Sequence, residues 1–289
     1  MFINLLKKPE SKNQQCMASI RDNRKDADYF LEGINMVSSN LVQTRKNLKE
    51  EHPMSYYSLS DGLDCLIRWS YCLDKPVKEL LEPCKEMIDA YTRSILPTDD
   101  NRFGGGLIYG EVLNICSLGV LLDCGEELKK FADRLQVTGF KDDLTSFLLS
   151  TMVPNNGLSG KLRWKGDKAC QKLIQISQAN KEDAQTGLLE YLDNIYYTRA
   201  NMESDYNAHK KEGYHYMGYF SFESAAIVKI MGLNDERIQH SPYYPADLIH
   251  GDRPGLGELW KIPPTITPVQ QFPIIKEEMK NKSWWHFWE

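Results

Sequence analysis

The 289-residue sequence contains no apolar run approaching the ~18 residues that a helix needs to cross a bilayer. Its opening stretch, MFINLLKKPESKNQQ, has too short an apolar segment for a secretory signal, and no small-residue cleavage pattern follows. The expectation is a chain that stays in the cytoplasm, where it is made. Seven cysteines include no Cys-x-x-Cys pair, and several stand among apolar neighbours, as in LNICSLGVLLDC. That pattern reads as reduced thiols packed as small hydrophobes. No alternating apolar/polar run is long enough for a sheet strand. No Gly-x-Ser-x-Gly elbow and no Cys/His signature occurs. The net charge of −5 is mild; it argues against direct nucleic-acid binding and suits a basic partner.

What the sequence does have is helical period. From Asp26 to Lys49, Phe30, Ile34, Val37, Leu41 and Leu48 fall on one stripe. Tyr56 to Cys72 repeats the pattern with Leu59, Leu63, Leu66 and Ile67. Asp74-Lys75-Pro76 reads as a cap with an early-turn proline, and Pro83 implies that the next helix starts late or bends. Leu107 to Asp123 is apolar almost all round, the mark of a buried central helix. Glu126 to Leu135 and Asp142 to Met152 are shorter amphipathic segments, followed by the Pro/Gly/Asn-rich 153–166, the best candidate boundary. Helices are then expected over Asp167 to Ala179, Glu182 to Arg199 and Phe220 to Met231, the last stopped by Gly232. The fold class is all-α, a two-part array of antiparallel helices with a proline-rich C-terminal extension. The expected division is 18–152, 167–262 and an extended tail at 263–289.

Chemistry-bearing motifs are sparse. RFGGGLIYGE matches neither glycine fingerprint for phosphate and follows no strand, so it reads as a flexible entry into a buried helix, with close packing at Gly106 and Gly110. His209 and His215 lie six apart, which does not put both on one helical face, so no metal site is expected and no cofactor. The many carboxylates read as a solvated surface. Glu203-Ser-Asp205-Tyr206, acids flanked by an aromatic, look like interface material. In Gly218 to Gly251, Ser221 caps a helix, Glu223 favours its dipole and Phe222, Ala226 and Ile230 share a face. Pro245 lays Tyr243 and Tyr244 back on the core, and Asp247 caps local backbone.

YMGYFSFESAA (Tyr216 to Ala226), GLND (Gly232 to Asp235) and YYPADL (Tyr243 to Leu248) resemble the C-terminal domain of the PoNi immunity proteins. LLEYLDNIYY…HKKEGYHYMGY looks like that family's preceding helix and connector, while IRDNRKDADYF and YYSLSDGLDCLIRWSYC fit its N-terminal domain more loosely. Phe220 stands where the family usually carries Trp, which keeps an aromatic plug. The resemblance implies an all-helical inhibitor, not an enzyme, that binds a cognate PoNe-type DNase toxin of contact-dependent (type VI) bacterial secretion and blocks its active or DNA-binding site. On this reading Gly218, Phe222, Glu223, Tyr244, Pro245 and Asp247 determine the fold, and Glu203, Asp205, Tyr206, Asp235, Glu236 and Asp252 are candidate toxin contacts. The alternatives are a helical interaction scaffold and a hydrolase whose carboxylates converge only in space. The WWHFW tail (Trp284 to Trp288) either docks on the core, pairs subunits into a homodimer or forms an exposed end; it is too short to enter a membrane as a span.

Overall fold

The computed structural model describes residues 20–48, 52–96, 107–161 and 167–252. Cys16, Gly106 and the C-terminal tail lie outside these residues. Among the described residues no strand occurs, and the fold is all-α.

Helix α1 (Ala27–Lys46) starts where Asp26 accepts from the Tyr29 amide, and Arg45 and Lys46 complement the dipole in its last turn. Its buried stripe is Phe30, Ile34, Val37 and Leu41, as the period required. Helix α2 (Pro53–Cys72) begins three residues before the apolar pattern does, because Pro53 is suited to a first helical position. A 3-10 turn (Val77–Leu80) then leads into α3 (Leu81–Ser94), so Pro83 sits in a first turn, where its missing N–H is harmless. Helices α4 (Tyr109–Leu121), α5 (Gly125–Val137) and α6 (Asp143–Leu149) follow. Every residue of α4 from Val112 to Leu121 is buried. This central rod packs against α3, α5, α6 and a later helix, α10, described below.

The second half contains α7 (Lys168–Gln178), capped by Asp167, and α8 (Lys181–Tyr191), capped by Asn180. The continuous helix expected to Arg199 does not form. A π-helical turn (Leu192–Tyr196) breaks it, and the chain continues through the single turn α9 (Arg199–Met202) and two 3-10 turns. Helix α10 (Phe222–Met231) carries the predicted Ser221 cap and ends at Gly232 in the left-handed region, φ 57°. The single turn α11 (Asp247–His250) closes the described chain. One apolar cluster runs from Phe30 to Leu248 and includes both halves. Cys72, Cys84, Cys116, Cys124 and Cys170 are buried free thiols, and Cys65 is half-buried.

Asp74, expected as a local cap, is fully buried, with φ 63°, and faces Arg21. Gly110 is not a point of close packing: a Cβ built there meets no described atom within 4 Å, because Gly110 lines a cavity.

Candidate functional site

Two sequence motifs far apart in the chain meet at Arg21. Its Nε lies 3.0 Å from Asp74 and 2.5 Å from Asp247, and its NH2 group 3.4 Å from Asp252. The same guanidinium donates to the carbonyls of Tyr71 and Lys75 and lies 4.4 Å over the Tyr71 ring. Asp247 therefore acts as a partner for Arg21. Beside it, Asp22 accepts from the Tyr216 hydroxyl and from Arg24. Tyr216 is held through its backbone as well: its N–H donates to Tyr29 Oη, and its carbonyl accepts from Tyr29 and from the Trp69 indole. The IRDNRKD segment thus fastens the aromatic motif and the YYPADL motif to α1 and α2.

The other motif residues fill this assembly. Gly218 runs against Cys72 with φ 87°. Phe222 is buried, edge-on to Tyr71 at 6.0 Å, with the Arg68 guanidinium 5.2 Å over its ring. The Tyr244 hydroxyl donates to Asp235, which also contacts His250 Nε2 at 2.8 Å. Pro245 is buried, and its carbonyl accepts from Leu248.

A polar cleft centres on Arg68. Arg68 donates to Asp64 and Asn114, and Asn114 donates back to Asp64, each at 2.8 Å, which closes a three-member network. On one side of it opens a cavity of about 110 Å³ lined by Tyr57, Asp61, Asp64, Tyr91, Glu111 and Asn114. Tyr57 donates to Glu111 Oε1 at 2.7 Å, while Glu111 Oε2 is buried without a hydrogen-bond donor among the described residues. Burial pushes the Glu111 carboxyl from an ordinary 4.5 up to about 7, against the pull of Tyr57 and Tyr91, and Asp61 and Asp64 push the same way. Burial also raises Asp61, with Asp64 adding to it. On the far side, burial raises Glu223, and Arg68 and Ser221 draw it back.

A consequence for stability follows. Between pH 4.5 and 7 the folded chain holds the Glu111 proton more tightly than the unfolded chain does. Stability is therefore expected to fall as pH rises through this window and to level off above it, by at most about 3 kcal/mol. Glu111→Gln keeps the shape, removes the slope and raises the urea midpoint at pH 8. A lowered midpoint at pH 8 would contradict this.

The connector between α8 and α10 carries the other unusual geometry. Tyr197 stacks between Tyr206 (centroids 5.2 Å apart) and Tyr243 (5.1 Å), all three half-buried. Arg24 lies 5.3 Å over the Tyr243 ring. Glu203, exposed, adopts φ 44° and ψ −111°, a region that suits glycine and strains a side chain.

The predicted contact acids do not lie together. Glu203, Asp205 and Tyr206 share the connector, with Asp205 exposed and electrostatically coupled to Arg68. Glu236 is exposed on the loop after α10. Asp235 is buried under Tyr244 and His250, and Asp252 is bonded to Arg21 and to the Val77 amide. Sequence reasoning missed Asp61, Asp64, Arg68, Glu111 and Asn114. The available signal was Glu111 and Asn114, polar residues at i and i+3 in a helix apolar almost all round.

The fold and cleft define an all-α helical assembly whose N-terminal segment is salt-bridged to the YYPADL motif and hydrogen-bonded to the aromatic motif. Residues 140–248 match the family model for the C-terminal domain of PoNe immunity proteins (PoNi). The resemblance carried by YMGYFSFESAA and YYPADL is thereby borne out, and the match reaches back through α8 and α7 to α6. In structure, the chain is similar to a crystal structure of protein PA2201 from Pseudomonas aeruginosa, with a TM-score of 0.60 and 18% identity over 81% of this chain and 90% of that one. That likeness concerns the fold. No curated protein matches the sequence.

Proposed function

We propose that the chain is an immunity protein that binds a PoNe-type DNase toxin and neutralises it by covering its active or DNA-binding surface, with no catalysis of its own. The PoNi C-terminal match carries this reading. The charge distribution supports it: a DNase needs a basic face for its substrate, and the cleft gathers Asp61, Asp64, Glu111 and Glu223 around a single guanidinium. The proposed contact surface is the connector, Glu203, Asp205 and Tyr206 with Tyr197 and Tyr243, continued by Glu236. Half-buried tyrosines are frequent anchors in interfaces. Such a protein works in the cytoplasm, where the toxin would reach DNA; among the described residues no helix is long and apolar enough to cross a membrane.

Glu203 makes the reading testable. A strained, exposed glutamate gives the fold nothing that glycine would not give better. Glu203→Gly is expected to stabilise the chain by about 1 kcal/mol and to weaken toxin binding and protection of toxin-producing cells. Unchanged protection by Glu203→Gly would remove the connector from the contact surface.

A hydrolase reading draws on Glu111, whose value near 7 suits a general acid or base. The cavity of about 110 Å³ is, however, well below the ~300 Å³ at which small-molecule sites begin. Among the described residues no group of His, Cys, Asp or Glu is placed to hold a metal ion.

A further inference from the structure

We propose that the cavity between α2, α3 and α4 receives one lysine or arginine side chain of the bound toxin, held by Asp61, Asp64 and Glu111. The inference rests on the reading of the chain as a toxin-binding protein. Three observations carry it. The cavity brings together three carboxylates and one guanidinium, and that guanidinium is already committed to Asp64 and Asn114. A buried Glu111 oxygen has no donor at hydrogen-bond distance among the described residues, although the Tyr91 hydroxyl also pulls on this carboxyl, and such an arrangement costs a folded chain free energy unless a visiting donor satisfies it. The lining suits a cationic side chain: beside the acids it includes the aromatic Tyr57 and Tyr91 and the apolar Met87 and Ile115, material for the side chain's stem. The volume admits the end of one side chain and excludes a nucleotide.

The groups facing Glu111 are Tyr57, Asp61, Asp64 and Arg68 from α2, Tyr91 from α3 and Asn114 from its own helix. Entry of a cation favours ionised Glu111, so binding releases its proton. Affinity is therefore expected to weaken as pH falls below 7, by up to about tenfold per pH unit, and to be level above 7.

The test uses the full chain and a purified PoNe-type toxin domain against which it protects. At pH 8 the double variant Asp61→Asn, Glu111→Gln is expected to bind about 100-fold more weakly, chiefly through loss of the buried Glu111 charge, with the exposed Asp61 adding less. Asp133→Asn, an exposed acid on α5, should bind as wild type. Unfolding is controlled by melting, because Glu111→Gln is expected to be the more stable protein at pH 8. In carboxyl NMR, the Glu111 titration midpoint should fall when the complex forms. Binding of the double variant within twofold of wild type, or an unmoved midpoint, overturns the inference while leaving the toxin-binding reading intact. A midpoint that falls with magnesium chloride or sodium chloride alone makes the cavity an inorganic cation site and overturns it too. If the wild-type chain binds no PoNe-type domain, the functional reading fails first.

Discussion

Arg21→Met is expected to destabilise the chain by about 3–5 kcal/mol, the range found when one partner leaves a buried ion pair. The Arg21 side chain is 4% exposed and faces Asp74, which is fully buried, together with Asp247 and Asp252. Methionine refills the stem volume but leaves these carboxylates without the guanidinium, and the Tyr71 and Lys75 carbonyls lose its hydrogen bonds. Against a total stability of about 5–15 kcal/mol the loss is large. Urea midpoints at constant m-value measure it. Adding Asp74→Asn to Arg21→Met should recover part of the loss, because the uncompensated buried charge is then gone. A single-variant change under about 1 kcal/mol would show that the clasp is ornamental to the fold.

Gly218→Ala carries the second large effect. A Cβ at this position would lie 2.5 Å from Cys72 Sγ and 3.1 Å from the Phe220 ring, and the backbone φ of 87° is one that L side chains rarely adopt. Cys72 is wholly buried and cannot retreat to solvent. Strain and overpacking each contribute about 1–3 kcal/mol, so a loss of roughly 3 kcal/mol or more is expected. Cys72→Ala in the same chain should relieve the steric share and leave the backbone share. If Gly218→Ala melts like wild type, the docking of the aromatic motif on α2 has been placed wrongly.

Those two positions also mark what could and could not be read from the sequence. Helix α1 was legible from its apolar stripe, and α10 from a stripe bounded by Ser221 and Gly232. Phe222 was readable as a packing position from the apolar face it shares with Ala226 and Ile230, and Tyr244 from Pro245 behind it; Gly218 entered only through the family resemblance. The Arg21 clasp was not, since its bond to Asp247 joins residues 226 positions apart, and spacing carries no information about such convergence. Asp74 and Asp247 accordingly read as local caps, the commonest local use of aspartate. The π-helical turn at Leu192–Tyr196 was hidden for a related reason. The helical period runs through it, and only the packing of Tyr196 and Tyr197 on Tyr243 shows where the register changes. Asp64 and Glu111 fall under the general reading of the carboxylates as a solvated surface, because the helices that bring them together are distant in the chain.

The central claim is that this molecule works by occupying a toxin's surface and transforms nothing. The most direct measurement titrates the full chain into a DNA-cleavage assay of a PoNe-type toxin domain. The account predicts that cleavage falls in proportion to added chain, vanishes at one chain per toxin domain and does not depend on preincubation time, while the chain alone leaves DNA intact. Inhibition that deepens with time at substoichiometric chain, or cleavage undiminished at excess, would contradict it.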